Sequence, residues 1–240
     1  MERREFIEKT ALAAGGILLS GTGADALAKQ ENEKRMKVLL INGSPKSNGN
    51  TSIAIHELEK TFRENGVETE IIQVGNKAIR GCIGCTKCYE TGKCFFDDIV
   101  NETAPKLEAA DGVVVATPVY YASANGTLIS FLDRLFYSAH FDMRMKVGAS
   151  VAVCRRGGAS ATFDELNKYF TIRGMPVAAS QYWNSVHGRL PGEAEQDAEG
   201  LQTMRVLARN MTFLIKSIAL GKEEYGLPEM EKWTPTHFIR

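Results

Sequence analysis

Five short apolar runs with no polar alternation recur along this chain, each followed by a segment of helical period. The runs are "MKVLLING" (Met36–Gly43), "TEIIQV" (Thr69–Val74), Val113–Ala116, "VGASVAVC" (Val147–Cys154) and "MPVAAS" (Met175–Ser180). A strand that is apolar on both faces must be covered on both. The intervening segments supply the covers. Thr51–Gly66 places Ile53, Ile55, Leu58 and Phe62 at mostly helical spacing before a glycine stop. Asp98–Ala110 reads as a helix weakened by Pro105. Gly126–Phe136, Phe163–Gly174 and a long helix from about Ala194 to Leu220 complete the set. Strand–helix alternation of this kind predicts a three-layer α/β fold, with a five-stranded parallel sheet in the order 2-1-3-4-5 and helices on both faces.

The first residues read differently. "MERREFIEKTALAAGGILLSGTGADALAKQ" carries a twin arginine (Arg3, Arg4), an apolar stretch of small residues from Thr10 to about Ser20, and an A-x-A site at Ala26–Ala28. That order is the layout of a cleavable twin-arginine export leader over residues 1–28. It predicts a periplasmic or otherwise exported protein, or a cytoplasmic one if the leader is silent. The apolar stretch is too short for a membrane span. Residues 29–240 are then a single domain, since no repeat or low-complexity linker divides them. Lys plus Arg equals Asp plus Glu, 29 each, which gives no electrostatic footprint for nucleic acid.

In a doubly wound sheet, ligands sit outside the carboxyl ends of the strands. After the first strand comes "GSPKSNGNTS" (Gly43–Ser52), rich in hydroxyls and opening a helix whose N–H groups and dipole favour an anion. It is neither a Walker loop nor a G-x-G-x-x-G turn. A hydroxyl-rich cradle of this kind suits a flavin mononucleotide phosphate. After the third strand comes "TPVYYASANG" (Thr117–Gly126), where Tyr120 and Tyr121 offer flat faces and Ala122–Ala124 allow close approach. After the fourth comes "RRGGAS" (Arg155–Ser160), two arginines and two glycines that could face an electron-rich ring.

These segments, together with "CIGCTKCYETGKC", "ATPVYYASANGTLISFLDRLF" and "NKYFTIRGMPVAASQYWNSVHG", closely resemble the flavodoxin-like NAD(P)H-dependent FMN reductases, in the branch of the iron–sulfur flavoproteins. The resemblance covers residues 36–240. It implies a flavodoxin-like fold, non-covalent FMN and a homodimer or homotetramer. It assigns the phosphate to Ser44, Lys46, Asn50, Thr51 and Ser52. Pro118, Val119, Tyr120, Tyr121 and Ser123 would line the isoalloxazine. Arg156, Gly157 and Gly158 would approach its polar edge. Trp183, Asn184 and His187 would sit near the flavin or the substrate. No catalytic side chain is identified beyond the FMN itself, with Tyr120, Tyr121, Asn184 and His187 as candidates.

Cys82, Cys85, Cys88 and Cys94 lie within the cysteine-rich loop 81–96 at the spacing C-x2-C-x2-C-x5-C. Four soft thiolates on one loop can wrap an iron–sulfur cubane. Two disulfides, a zinc site and free thiols are the alternatives that spacing leaves open. The long last gap resembles the compact motif of the iron–sulfur flavoproteins, which favours a [4Fe–4S] cluster. Cys154, at the end of an apolar strand, is expected to be a small core residue.

The expected activity is an FMN-dependent oxidoreductase that passes electrons to a small-molecule acceptor such as a quinone or an aromatic compound. The alternative is an exported electron carrier between protein partners. The family implies NAD(P)H as donor, whereas the leader favours a membrane quinol or a redox protein.

Overall fold

The two faces of the first strand explain the unalternating runs. In β1 (Lys37–Asn42), Val38 and Leu40 enter one hydrophobic core while Leu39 and Ile41 enter another. β3 (Gly112–Tyr120) divides in the same way, with Val114 and Ala116 on one side and Val113 and Val115 on the other. The first core is roofed by α1 (Asn50–Glu64), through Ile55, Leu58 and Phe62, and by α6 (Ala198–Tyr225), through Met204, Leu207 and Met211. The second is roofed by α3 (Ile99–Ala109), α4 (Gly126–Ser138) and α5 (Ala159–Thr171), which contribute Leu107, Phe131, Leu135 and Phe170. Each such side chain, taken from water, stabilises the fold by roughly 1.5–3 kcal/mol. Here a computed structural model describes residues 35–236 and 238, and those from Met36 onward fold as one compact unit. The leader predicted over residues 1–28 lies outside the described residues. No helix among the described residues is long and apolar enough to cross a membrane.

β2 (Glu68–Gln73) pairs with β1 over six residues, β1 with β3, β3 with β5 (Val147–Cys154) and β5 with β6 (Ser185–His187), all in parallel. The parallel strands therefore run 2-1-3-4-5 when counted alone, a flavodoxin-like sheet. A two-residue strand, β4 (Ser123–Ala124), folds back on β3 as an antiparallel hairpin.

The edge strand is not where the apolar run predicts it. Met175–Ser180 makes a single bridge, Val177 to Gly148, and the paired strand begins at Ser185 opposite Ala152. Between those points β5 advances four residues and the edge chain eight. The chain thus bulges away between Ala178, whose N–H donates to Gly148 O at 2.8 Å, and Asn184, whose carbonyl accepts from Ala152 N at 3.0 Å. Pro176 cannot donate to a ladder. Its carbonyl accepts from Gly148 N at 2.9 Å, and the chain departs only after Ala178 N has donated back to Gly148 O. The third strand also runs further than expected, so Thr117–Tyr120 belong to it. Pro105 sits inside α3 without ending it.

Candidate functional site

The strand order reverses between β1 and β3, and the crevice at their carboxyl ends is built from three loops. The loop after β1 is clamped from both sides. Gly43 N donates to Ala116 O at 2.8 Å, and Gln73 Nε2 donates to Ser44 O at 2.6 Å. A Cβ on Gly75 would stand 2.1 Å from Gly43 O, so only glycine lets the two loops lie on each other. Inside the loop, buried Asn42 accepts from Ser44 N at 2.9 Å and donates to Ser52 Oγ at 3.1 Å. Ser52 Oγ in turn donates to Ser47 O at 2.7 Å. Ser44 Oγ accepts from Lys46 N at 3.1 Å.

The predicted phosphate residues therefore divide. Ser44 and Ser52 shape the loop, and Asn50 ties it to another segment. Asn50 Nδ2 donates to Leu190 O at 3.0 Å and its Oδ1 accepts from Ala194 N at 3.2 Å. Thr51 is buried with its hydroxyl unengaged by any described residue, and Lys46 Nζ forms no ion pair among them. Gly49 caps α1 without a side chain, and the first turn holds no acidic residue. A helix N-terminus left with unsatisfied N–H groups is an anion site. The arrangement fits a phosphate monoester at this point.

The second loop is the turn of the β3–β4 hairpin. Tyr121 and Ala122 both have positive φ, +52° and +59°. A two-residue turn of this hand normally employs Asn-Gly. For side-chain-bearing residues the left-handed region costs roughly 1–2 kcal/mol each, and such strain gathers at ligand sites. Tyr121 is wholly exposed and Tyr120 about half so. Ser123 turns its hydroxyl to Glu165 of α5, at 2.8 and 2.9 Å, and Glu165 also accepts from Ala124 N. Pro118 and Val119 are partly buried on the strand itself, with Pro118 opposite Val153.

The third loop, Arg155–Gly158, packs against the second. Gly158 has φ +89°, and a Cβ there would lie 2.7 Å from Ala122 Cα and 2.9 Å from Val119 Cγ1. Arg156 and Gly157 are exposed beside it. Arg155 borders an open hollow of about 500 Å³ with His187, Arg189, Glu193, Gln196 and Asp197. This hollow adjoins the phosphate loop, because Gly188 packs on the Asn50 amide. His187 Nδ1 lies 3.5 Å from Asp197 Oδ2, and its backbone N–H donates to the same oxygen at 2.6 Å. Hydrogen bonds from the Leu190 and Arg189 backbone hold the Glu193 carboxyl below its usual range.

The remaining predicted residues are not brought to this crevice. Trp183 is exposed, edge-on to Tyr182 at 5.1 Å, and belongs to the bulge halfway along β5. Asn184 is buried there with neither side-chain atom hydrogen-bonded. Cys154 is buried at the strand end, and desolvation raises its thiol above the ordinary range.

The cysteine loop lies along α4. Gly84 and Gly92 adopt positive φ, and a one-turn helix, α2 (Cys88–Thr91), carries the third cysteine. No disulfide joins any of the five cysteines. Cys82 and Cys85 are exposed, Cys94 is half-buried and Cys88 is buried. Burial pushes the Cys88 thiol up, and repulsion from Cys85, Cys94 and Cys82 adds to it. The other three thiols are thus each within electrostatic reach of Cys88, and soft sulfur donors suit an iron–sulfur centre. Among the described residues, no three Cys, His, Asp or Glu converge at single-ion spacing.

Asn42, Gln73, Glu165 and Arg134 were not singled out from sequence. Asn42 was visible as the polar residue before the glycine that ends its run, and Gln73 as a polar residue inside one. Arg134 was visible as a charge on the buried stripe of α4.

Comparisons with known proteins bear on the family and the fold. A family described as NADPH-dependent FMN reductase matches residues 36–189. An iron–sulfur flavoprotein of Methanocaldococcus jannaschii is 36% identical over 191 residues, 76% of this chain and 99% of that protein. The crystal structure of RosB with a bound riboflavin-phosphate intermediate superposes with a TM-score of 0.62 at 17% identity, over 85% of this chain and 94% of that one. A flavodoxin from the domain Archaea gives 0.51 at 15% identity, over 75% and 99%. The two structures establish the fold.

Proposed function

The chain belongs to the NADPH-dependent FMN reductase family, and from that premise we propose that it is an FMN-dependent oxidoreductase that passes electrons to a small acceptor and carries a [4Fe–4S] cluster on Cys82, Cys85, Cys88 and Cys94. The observation that carries the flavin reading is the uncapped N-terminus of α1 at the switch point of the sheet. Lys46, Thr51 and the first-turn N–H groups would hold the phosphate. The strained turn at Tyr121–Ala122 and the Arg156–Gly158 loop would hold the ring. Bound FMN supplies the electron chemistry, accepting electrons in pairs or singly. The chain's own part is to place the ring: Glu165 anchors the hairpin from behind, and Gly158 lets the two loops close on each other. The exposed faces of Tyr120 and Tyr121 suit a flat quinone or aromatic acceptor.

The cluster reading is supported by the donor set and by the iron–sulfur relative. One helix spans both sites. α4 begins at the ring loop, where Asn125 N donates to Thr117 Oγ1, and its Arg134 reaches the cysteine loop. Nine residues separate Asn125 from Arg134, so the two loops are joined over roughly 13 Å of helix.

We further propose that the mature protein works outside the cytoplasmic membrane. It would take electrons from a membrane quinol or a redox protein, as a homodimer or homotetramer. This rests on the leader pattern and the family resemblance, with NAD(P)H as the second reading of the donor. The test is stopped-flow reduction of the flavin by menadiol and by NADPH, beside fractionation of cells carrying the native leader or Arg3→Lys with Arg4→Lys. Exported protein reduced faster by menadiol supports the reading. A cytoplasmic protein reduced rapidly by NADPH replaces it with an ordinary NAD(P)H-dependent reductase.

A further inference from the structure

Arg134 is the largest fully buried side chain among the described residues, and all five of its N–H donors are engaged. Two go to Asp98 as a fork, Nη1 to Oδ2 at 2.7 Å and Nη2 to Oδ1 at 2.9 Å. Two go to the carbonyls of Arg80 and Phe96, at 3.2 and 3.1 Å. These carbonyls stand on either side of the cysteine run. The fifth, Nε–H, points at Cys94 Sγ, 3.2 Å away. The guanidinium also lies 5.0 Å from the Phe96 ring centre. Asn101 holds the same cysteine by its backbone, accepting from Cys94 N at 2.9 Å and donating to Cys94 O at 3.0 Å. Cys94 is therefore fixed at three points, while Cys82 and Cys85 are exposed.

A buried guanidinium with every donor satisfied is rigid, and a rigid cation beside one sulfur acts unequally on two oxidation states. An N–H bond to a thiolate sulfur stabilises the more electron-rich state, and such bonds are among the levers that set iron–sulfur potentials. Asp98 offsets part of the charge. We propose that Arg134 is the positioning residue of the cysteine loop: it anchors Cys94 as the pre-set ligand and, through the Nε–H···Sγ bond, raises the reduction potential of the centre bound there. The second half rests on the cluster reading given above. The couple concerned gains one electron and breaks no bond. In the titration that electron comes from dithionite.

The experiment compares the wild-type chain with Arg134→Lys and Asp98→Asn, all prepared anaerobically with FMN. Lysine keeps the charge and loses the Nε–H and the fork. Asparagine keeps a helix cap and removes the countercharge. Dithionite titration of the cluster should show Arg134→Lys harder to reduce, by about tenfold in the reduced-to-oxidised ratio at fixed potential, or 59 mV for one electron. Asp98→Asn should shift the opposite way. A loosened fold would not give opposite signs. In the metal-free chain, maleimide should label Cys82 and Cys85 well before Cys94, and Arg134→Lys should abolish that delay. Equal potentials in all three proteins with iron bound, or shifts of the same sign, overturn the tuning role. No iron or sulfide in the wild-type protein overturns the cluster reading and the tuning role with it. The labelling order then still decides whether Arg134 positions Cys94, and no change in Arg134→Lys refutes it.

Discussion

Thr51 and Ser52 are adjacent in the phosphate loop and chemically alike, yet their environments separate them. Ser52 Oγ bridges Asn42 and Ser47, whereas the Thr51 hydroxyl has no described partner. Thr51→Ala should therefore weaken FMN by roughly 1.5–3 kcal/mol, the range for a hydrogen bond to a charged group, with little change in melting temperature. Ser52→Ala should lower both affinity and stability, because it unpicks the loop. Fluorescence titration with FMN and thermal melts of each variant check the pair. Asn184 gives a second residue-level prediction. Its buried amide lacks partners on both atoms among the described residues, and an unpaired buried polar group costs about 1–3 kcal/mol. Asn184→Leu, of similar shape, should leave stability unchanged or raise it in urea unfolding. A loss of stability would show that the amide is engaged.

Elements carry the next predictions, because the crevice depends on loops pressed together. Gly158→Ala puts a Cβ against Ala122 and Val119 and forces a left-handed alanine. The backbone alone costs about 1–2 kcal/mol, and the collision should spread the ring loops, so FMN affinity should fall more than stability does. The turn at Tyr121–Ala122 predicts the reverse. Ala122→Gly removes left-handed strain and should raise apoprotein stability by about 1 kcal/mol, while FMN dissociates faster from a less rigid turn. On the far side of the sheet, Glu70 of β2 bridges Lys106 of α3 at 2.7 Å and Lys37 of β1 at 2.6 Å. Hydrogen bonds from Lys106 and Lys37 hold its carboxyl below the usual range. A depressed folded-state value means the bridge stabilises the fold above the ordinary glutamate range and is lost as pH falls through the folded value. Glu70→Gln should therefore be less stable than wild type at neutral pH, and the difference should vanish in acid.

For the molecule as a whole, the layered architecture was legible because burial on both faces leaves no room for polar alternation. β1 and β5 appear almost as the apolar runs draw them. The edge was misread for a reason of the same kind: an edge chain has one neighbour, so Met175–Ser180 is apolar yet joins the sheet only through the single bridge at Val177. The three loops of the crevice were legible from their position after strands. Their inner supports, Asn42, Gln73 and Glu165, were not, because each acts across 10 to 42 residues of sequence. The cysteine loop showed its donor set but not Arg134, which reaches Cys94 from 40 residues away. The central claim is that one chain holds a flavin at the β1–β3 switch point and an iron–sulfur cluster at the other end of α4. Cofactor analysis of the anaerobically purified protein tests it most directly. The account predicts one FMN and close to four irons per chain, with a broad absorbance shoulder beyond the flavin bands that Cys88→Ala abolishes while the FMN remains. Protein that takes up no FMN, or binds zinc in place of iron, would contradict it.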